Sequence, residues 1–237
     1  MTRRFAYALD TRLRRRVGLI VLQTDETVEM EVGSRLPPDT ELFVTRIPSA
    51  PEVSLETLAG MEAHISDSAR LFPENLKFDA IGYCCTSGAA QIGSQRVAEL
   101  VQLAAQTGAV FDPVSALIAK CHAMKLHRLA FLSPYVASVS DRVREVLQSN
   151  GIETPVFGSF DVAAESIVAR IDETSVKTAA LDLASMSDIE ALFVSCTNLR
   201  TMSVAAELEE ALGMPVLSSN SVLADSLYTA DSVIGPD

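Results

Sequence analysis

The chain has no tryptophan, and aromatic residues fill only 5% of its 237 positions. That scarcity speaks against an aromatic-rich β-sandwich, while an apolar share of 48% suits an Ala/Val/Leu-rich α/β protein. Basic residues are scarce as well. With 19 Lys and Arg against 31 Asp and Glu the net charge is −12, the wrong sign for a nucleic-acid partner or a surface-wide phosphate site. No apolar run is long: the longest early one, Val17 to Leu22, is far too short for a signal segment or a membrane span. Cysteine is sparse too. The four, at 84, 85, 121 and 196, form no CxxC and have no zinc-ligand spacing with the histidines at 64, 122 and 127. The expectation is a reduced, cytoplasmic protein with no membrane segment, no metal and no disulfide framework.

What the chain does contain is an echo. Asp79-Ala80-Ile81-Gly82-Tyr83-Cys84-Cys85-Thr86-Ser87-Gly88 returns as Glu190-Ala191-Leu192-Phe193-Val194-Ser195-Cys196-Thr197-Asn198. In each copy an acid and an alanine lead into a short apolar run that stops at Cys-Thr and a small polar residue. Such runs read as buried strands of a parallel sheet, and helical patterning follows both. Each cysteine then stands at a strand's carboxyl end, the edge where open α/β sheets bind ligands. Either copy alone could be a strand ending in an inert buried Cys. The repetition points instead to a duplicated α/β unit with one thiol from each half facing a shared cleft. Because side chains alternate along a strand, only one of Cys84 and Cys85 can enter that cleft.

The rest of the pattern supports two lobes, residues 1–115 and 116–218, with a C-terminal helix in 219–237 packing back on the first. Residues 1–16 carry arginines at 3, 4, 12, 14, 15 and 16 and one acid, Asp10, and read as a solvated arm or a subunit contact. Strands are expected at 17–22, 41–46, 79–85 and 109–111 in the first half. Helices are expected over 54–72, with His64 as a surface or packing residue, over 89–106 and over 114–124. The second half predicts strands at 127–132, broken by Ser133-Pro134-Tyr135, then 154–157, 190–196 and 215–217. Its helices are expected at 139–149, 161–170, 175–186, 202–212 and 220–230. The polar turn Gln23-Thr24-Asp25-Glu26-Thr27 after the first strand is a third wall of the expected site.

At Cys85-Thr86-Ser87-Gly88 and Cys196-Thr197-Asn198-Leu199-Arg200-Thr201 the sequence resembles the maleate cis-trans isomerase and arylmalonate decarboxylase branch of the aspartate/glutamate racemase superfamily. Gly18-Leu19-Ile20-Val21 with its polar turn, and Pro134-Tyr135, extend the likeness over most of the chain. The resemblance implies an α/β fold of two pseudo-symmetric Rossmann-like lobes, an active site between them, no cofactor, and a homodimer or homotetramer. Its substrate would be a small carboxylic acid. Carried over by position, Cys85 and Cys196 are the catalytic thiols, one on each face of the substrate. Thr86, Ser87, Thr197 and Asn198 hold a carboxylate, and Tyr135 donates to the same kind of oxygen. A helix N-terminus beside each thiol is expected to lower its pKa toward neutrality.

Two departures stand out. Where the resemblance leads one to expect amides that bind a dicarboxylate, this chain has Asp25, beside Gln23 and Thr24, and, in the second half, Glu165. Acids there would repel a dianion and favour a substrate bearing a cationic group; alternatively Asp25 simply caps the next segment. A branch linked to ectoine breakdown is also known in this family, and its diaminobutyrate-type metabolites fit. The resulting expectation is a cofactor-independent isomerase or racemase. A decarboxylase or lyase using Cys196 as proton donor, and a non-catalytic small-acid binder, are the alternatives.

Overall fold

The computed structural model describes residues 2–186 and 188–230. Its architecture follows from the buried apolar runs. β1 (Arg16–Leu22), β2 (Glu41–Ile47), β3 (Ala80–Cys84) and β4 (Val110–Phe111) form a parallel sheet in the order β2-β1-β3-β4. β5 (Arg128–Tyr135), β6 (Glu153–Val162), β7 (Ala191–Val194) and β8 (Val216–Ser218) form a second parallel sheet in the order β6-β5-β7-β8. The second order is the first shifted by four strands, so the echo in sequence is a duplication in topology. β3 and β7, buried along their whole length, occupy matching inner positions. Sheets covered by helices on both faces require such continuous apolar strands.

Between the strands run α1 (Val28–Arg35), α2 (Leu55–Gly60), α3 (Ile65–Ala69), α4 (Thr86–Ile92), α5 (Ser94–Gln102) and α6 (Pro113–Met124). The second half adds α7 (Ala137–Ser149), α8 (Glu165–Val168), α9 (Glu173–Ala184), α10 (Met202–Leu212) and α11 (Ser219–Thr229). Although α11 follows the last strand of the second sheet, it lies on the first. Leu223, Ala224 and Leu227 join Val17, Leu19, Val21, Val28, Val32 and Cys84 in one buried cluster. Gly82 permits that approach, since a Cβ there would meet Leu19, Leu223 and Leu227 at 3.2–3.4 Å. Of the expected helix within 219–237, residues 231–237 lie outside the described region.

Several boundaries differ from expectation for local reasons. The stripe over 54–72 is not one helix: it breaks after Gly60 into a 3-10 turn, Met61–His64, and α3, with Phe72 beyond the end. His64 is exposed. The expected helix over 89–106 starts earlier, at Thr86, and is cut by Gly93, whose φ of +98° only glycine adopts freely. Ser133-Pro134-Tyr135 does not break β5. The strand runs through it because Pro134 falls at a register shift against β6, where no ladder N–H is needed. Residues 161–162 belong to β6, and helix begins only at Glu165, because Ala163 and Ala164 pair with Val53 and Glu52 across the cleft.

Candidate active site

β3 ends at Cys84, and the two vicinal thiols part as strand alternation requires. Cys84 faces the cluster under α11, while Cys85 turns the other way, into the larger core between the lobes. Cys85 is the N-cap of α4 and its sulfur accepts the Gly88 N–H at 3.2 Å. The second copy ends likewise. Cys196 follows β7, and its sulfur accepts the Asn198 N–H at 3.3 Å. Its φ of +97° lies in a region that L-residues with a Cβ rarely occupy, a strain of about 1–3 kcal/mol that surrounding contacts must hold. One such contact is the Ser219 hydroxyl at the start of α11, which accepts the Cys196 N–H at 2.9 Å and lies 2.7 Å from the Thr86 hydroxyl. A single buried oxygen thus ties both thiol turns together.

Cys85 and Cys196 both border one cavity between the lobes, lined also by Leu22, Asp25, Val53, Leu58, Thr86, Ser87, Tyr135, Glu165, Thr197 and Asn198. Its free volume is only ≈ 10 Å³, the room of about one water. Cys85 is 7% and Cys196 4% exposed, so the site is closed. The cover is the pairing of residues 51–53 with 163–165: Val53 N–H donates to the Ala163 carbonyl at 2.9 Å and Glu165 N–H to the Pro51 carbonyl at 3.0 Å.

A chain of hydrogen bonds leads away from Cys196. The Tyr135 hydroxyl lies 3.0 Å from Cys196 Sγ and donates to Glu165 Oε1 at 2.8 Å. Glu165 Oε2 accepts from Asn198 Nδ2 at 2.8 Å. With the Tyr135 proton directed to Glu165, the Cys196 thiol is the donor to Tyr135 oxygen, an assignment that follows from the network. Burial raises the Glu165 carboxyl, with the nearby Asp25 charge adding to it and the Asn198 and Tyr135 hydrogen bonds opposing. Asp25 is raised by burial too, against the N–H groups of Val28 and Thr27, the Thr197 side chain and the Arg46 charge. Its Oδ1 accepts both of those N–H groups, at 2.9 and 2.8 Å, so the capping expectation holds for that oxygen. Its Oδ2 is buried without a hydrogen-bond partner.

Four expectations require correction. The thiols are not lowered toward neutrality: burial pushes Cys85 up to about 12, against the single Gly88 N–H, and Cys196 well above its ordinary value, with Glu165 adding to it. Desolvation of a closed cavity outweighs one backbone donor. Gln23 and Thr24 do not line the cavity. Gln23 is exposed, because its N–H still pairs with Ile47 and the chain turns inward only at Asp25, whose N–H closes onto the Leu22 carbonyl; Thr24 binds the Ser49 hydroxyl instead. Asn198 lines the cavity, but its side chain is engaged by Glu26 N–H and by Glu165, so it fastens loops rather than presenting a free amide. The Thr86 and Thr197 hydroxyls are similarly occupied, by Ser219 and the Cys84 carbonyl. Ser219, Leu22, Val53 and Leu58 were not singled out in the sequence, and only Ser219, opening a helix after a strand, had a signal that could have found it.

Two parallel α/β units related by strand order, each delivering a thiol from the end of its third strand into a shared cleft, define a duplicated two-lobe protein with a thiol pair at its centre. The chain belongs to the arylmalonate decarboxylase family, whose model matches residues 17–230. It is 26% identical over 219 residues to a maleate isomerase of Pseudomonas putida, covering 86% of each chain. Among solved structures it superposes with a TM-score of 0.79 and 26% identity on a cysteine-to-serine mutant of Nocardia farcinica maleate cis-trans isomerase with a covalently bound succinylcysteine intermediate, covering 91% of this chain and 92% of that one. An arylmalonate decarboxylase mutant in a liganded form shares the fold, with a TM-score of 0.79 at 19% identity over 94% of this chain and 96% of that one.

Proposed function

We propose that the protein is a cofactor-independent isomerase of a small carboxylic acid, acting through Cys85 and Cys196. The observation that carries this reading is that the two thiols, from equivalent strand ends of the two lobes, border one closed cavity. A reacting carbon placed between them meets one sulfur on each face. Cys196, a thiol hydrogen-bonded to Tyr135, is the proton donor on one face. Cys85 acts on the other as thiolate, either by taking a proton from carbon or by adding to an alkene carbon. Electrons displaced by either step move onto the substrate carboxylate; Cys196 then delivers a proton to the opposite face, or the adduct turns about its new single bond before the Cys85 thiolate is expelled, so nothing is consumed. The carboxylate is held by the main-chain N–H groups of Thr86 and Ser87 and the Ser87 hydroxyl in the Cys85 turn, and by the main-chain N–H of Thr197 in the second turn. A decarboxylase using Cys196 alone has no need of a second thiol in the cavity, which is why isomerisation is the better reading.

The four cysteines are free and buried, which fits a reducing, cytoplasmic setting. A homodimer or homotetramer completes the reading, and the arm's exposed Phe5, Tyr7 and Leu9 are available for a subunit contact. The test is proton exchange and isomerisation followed by NMR in D2O over a panel of small acids, with Cys85→Ser and Cys196→Ser. Each variant loses turnover, and for a substrate with a stereocentre one of them retains exchange of one enantiomer only. Full turnover by either variant overturns the assignment.

A further inference from the structure

Among the described residues Tyr83 is the largest fully buried side chain, and the proposed reaction does not use it. It stands two residues before Cys85, so strand alternation turns both toward the core between the lobes and Cys84 away from it. The Tyr83 hydroxyl and the Cys85 sulfur converge on Gly88, where a Cβ would lie 2.9 Å from each of them and 2.8 Å from Met61 Cε. A buried phenol ordinarily finds a good hydrogen-bond partner. Here the described acceptor is the Met61 thioether sulfur at 4.0 Å, a weak one. Asp112, whose charge also reaches Tyr83, is occupied in capping α6: its Oδ1 accepts the Val114 and Ser115 N–H groups at 2.8 and 3.0 Å, and its Oδ2 the Ser115 hydroxyl at 2.8 Å. Around Cys85 the need is the opposite. The carboxyls of Glu165, Asp25 and Asp112 each oppose a thiolate there, Tyr135 and Cys196 share its cavity, and the one hydrogen bond it is given comes from the Gly88 N–H at 3.2 Å.

We propose that Tyr83 is a positioning residue of Cys85: its hydroxyl donates to the Met61 sulfur while Cys85 is a thiol, and turns to donate to the Cys85 sulfur when that becomes a thiolate. The inference rests on the thiol-pair reading above and adds a residue to that same site. The turn is a rotation of O–H about the phenol's C–O bond, into a space that both atoms already border. It is driven by the better acceptor, since a hydrogen bond to an ionised group is roughly twice as strong as one between neutral groups. Tyr83 keeps its own proton throughout, because burial pushes its ionisation well above the ordinary value. The sequence echo gains a meaning from this. Cys196 has the Tyr135 hydroxyl of β5 at 3.0 Å, while the place of Tyr83 in the second copy is taken by Val194, which has no hydroxyl. Each thiol is then served by one phenol, from its own strand in the first lobe and from the neighbouring strand in the second.

The experiment labels the substrate-free protein with iodoacetamide at pH 7–9 and reads Cys85 and Cys196 separately by peptide mass spectrometry. Tyr83→Phe keeps the ring in its packing and removes the donor. Cys85 should then label about 3–10-fold more slowly at each pH: losing a hydrogen bond to a charged group lowers the thiolate fraction by about 10–100-fold, and the more basic thiolate recovers part of that as nucleophilicity. Cys196 should keep its rate and Tm should hold, since the resting state loses only the contact to Met61. Met61→Leu is the second variant. It removes the competing acceptor, so Cys85 should label faster, and that gain should vanish in the Tyr83→Phe background. An unchanged Cys85 rate in Tyr83→Phe overturns the proposal, and so does equal slowing of both thiols, the result of a cavity that merely packs differently. Labelling needs no substrate, so the two readings separate: full turnover by Cys85→Ser overturns the thiol pair, while the Tyr83 hydrogen bond stands or falls on these rates alone.

Discussion

The residue with the largest consequences here is Asp25, because one of its oxygens serves the fold and the other does not. Burial raises its carboxyl above the ordinary carboxylate range. The folded protein therefore holds that proton more tightly than the unfolded chain, so Asp25 costs nothing at low pH and penalises folding as pH rises through and beyond the ordinary range. Asp25→Asn should raise Tm at pH 7–8 and leave it little changed near pH 4, with about 2–4 °C for each kcal/mol recovered. An equal shift at both pH values would show that the carboxyl's ionisation is not what matters. Ser219 is the complementary case, a residue that touches no substrate. Removing its hydroxyl frees the Cys196 N–H and lets the strained turn relax, and displacements of about 1 Å cost up to 10²-fold in rate. Ser219→Ala should lower kcat far more than it raises KM, with Tm only slightly reduced; a change confined to KM would remove it as a positioning residue.

At the scale of elements, what was legible in the sequence was whatever a strand imposes by burial. The apolar runs before Cys85 and Cys196 could only be inner strands, and strand alternation already separated Cys84 from Cys85. Helix boundaries were less legible because single residues override periodicity, as Gly93 does between α4 and α5. The positions of Tyr135 and Glu165 carried over from the motif, yet their hydrogen bond to each other did not, since it joins β5 to α8 over a stretch whose strand continued past the expected end. The engagement of Asn198 was illegible for a related reason: its partners, Glu26 and Glu165, come from the two opposite lobes. Packing of α11 on β3 can be tested directly. Gly82→Ala places a methyl at 3.2–3.4 Å from Leu19, Leu223 and Leu227 and should destabilise by about 1–3 kcal/mol, read as a lower Tm. Unchanged stability would mean that α11 gives way easily.

For the whole molecule the governing fact is closure. A cavity with room for about one water cannot admit a substrate unless the pairing of residues 51–53 with 163–165 opens. The exposed Arg170–Glu26 pair, which joins the segment after α8 to the turn after β1 at 2.8 Å, is of the kind worth little in water and will not prevent opening. Glu31 holds the lobes together elsewhere. From α1 its carboxylate accepts the Thr201 and Met202 N–H groups of α10, at 2.7 and 3.1 Å, and Asn220 Nδ2 of α11 at 2.7 Å. Opening is therefore expected on the side of the cover, with the Glu31 side as hinge. In the closed state Cys85, at about 12, is almost wholly protonated near neutrality. Iodoacetamide labelling without substrate should be slow and rise about tenfold per pH unit through pH 7–9, since the thiolate is the reactive form; fast, pH-independent labelling would contradict a buried thiol. The same shift makes folding stability full below the ordinary thiol value and declining as pH climbs from there toward 12.

The placement of α11 has a consequence for how the chain is made. The face formed by Val17, Leu19, Val21, Val28 and Val32 is finished only by Leu223, Ala224 and Leu227, some 190 residues later. At roughly 5–20 residues per second, the ribosome leaves that apolar surface uncovered for about 10–40 s after its own strands have emerged. The amino-terminal lobe is thus the first to be synthesised and the last to be completed. A nascent chain halted before residue 219 should bind chaperones through that face, whereas one halted just after Thr229 has emerged should release them.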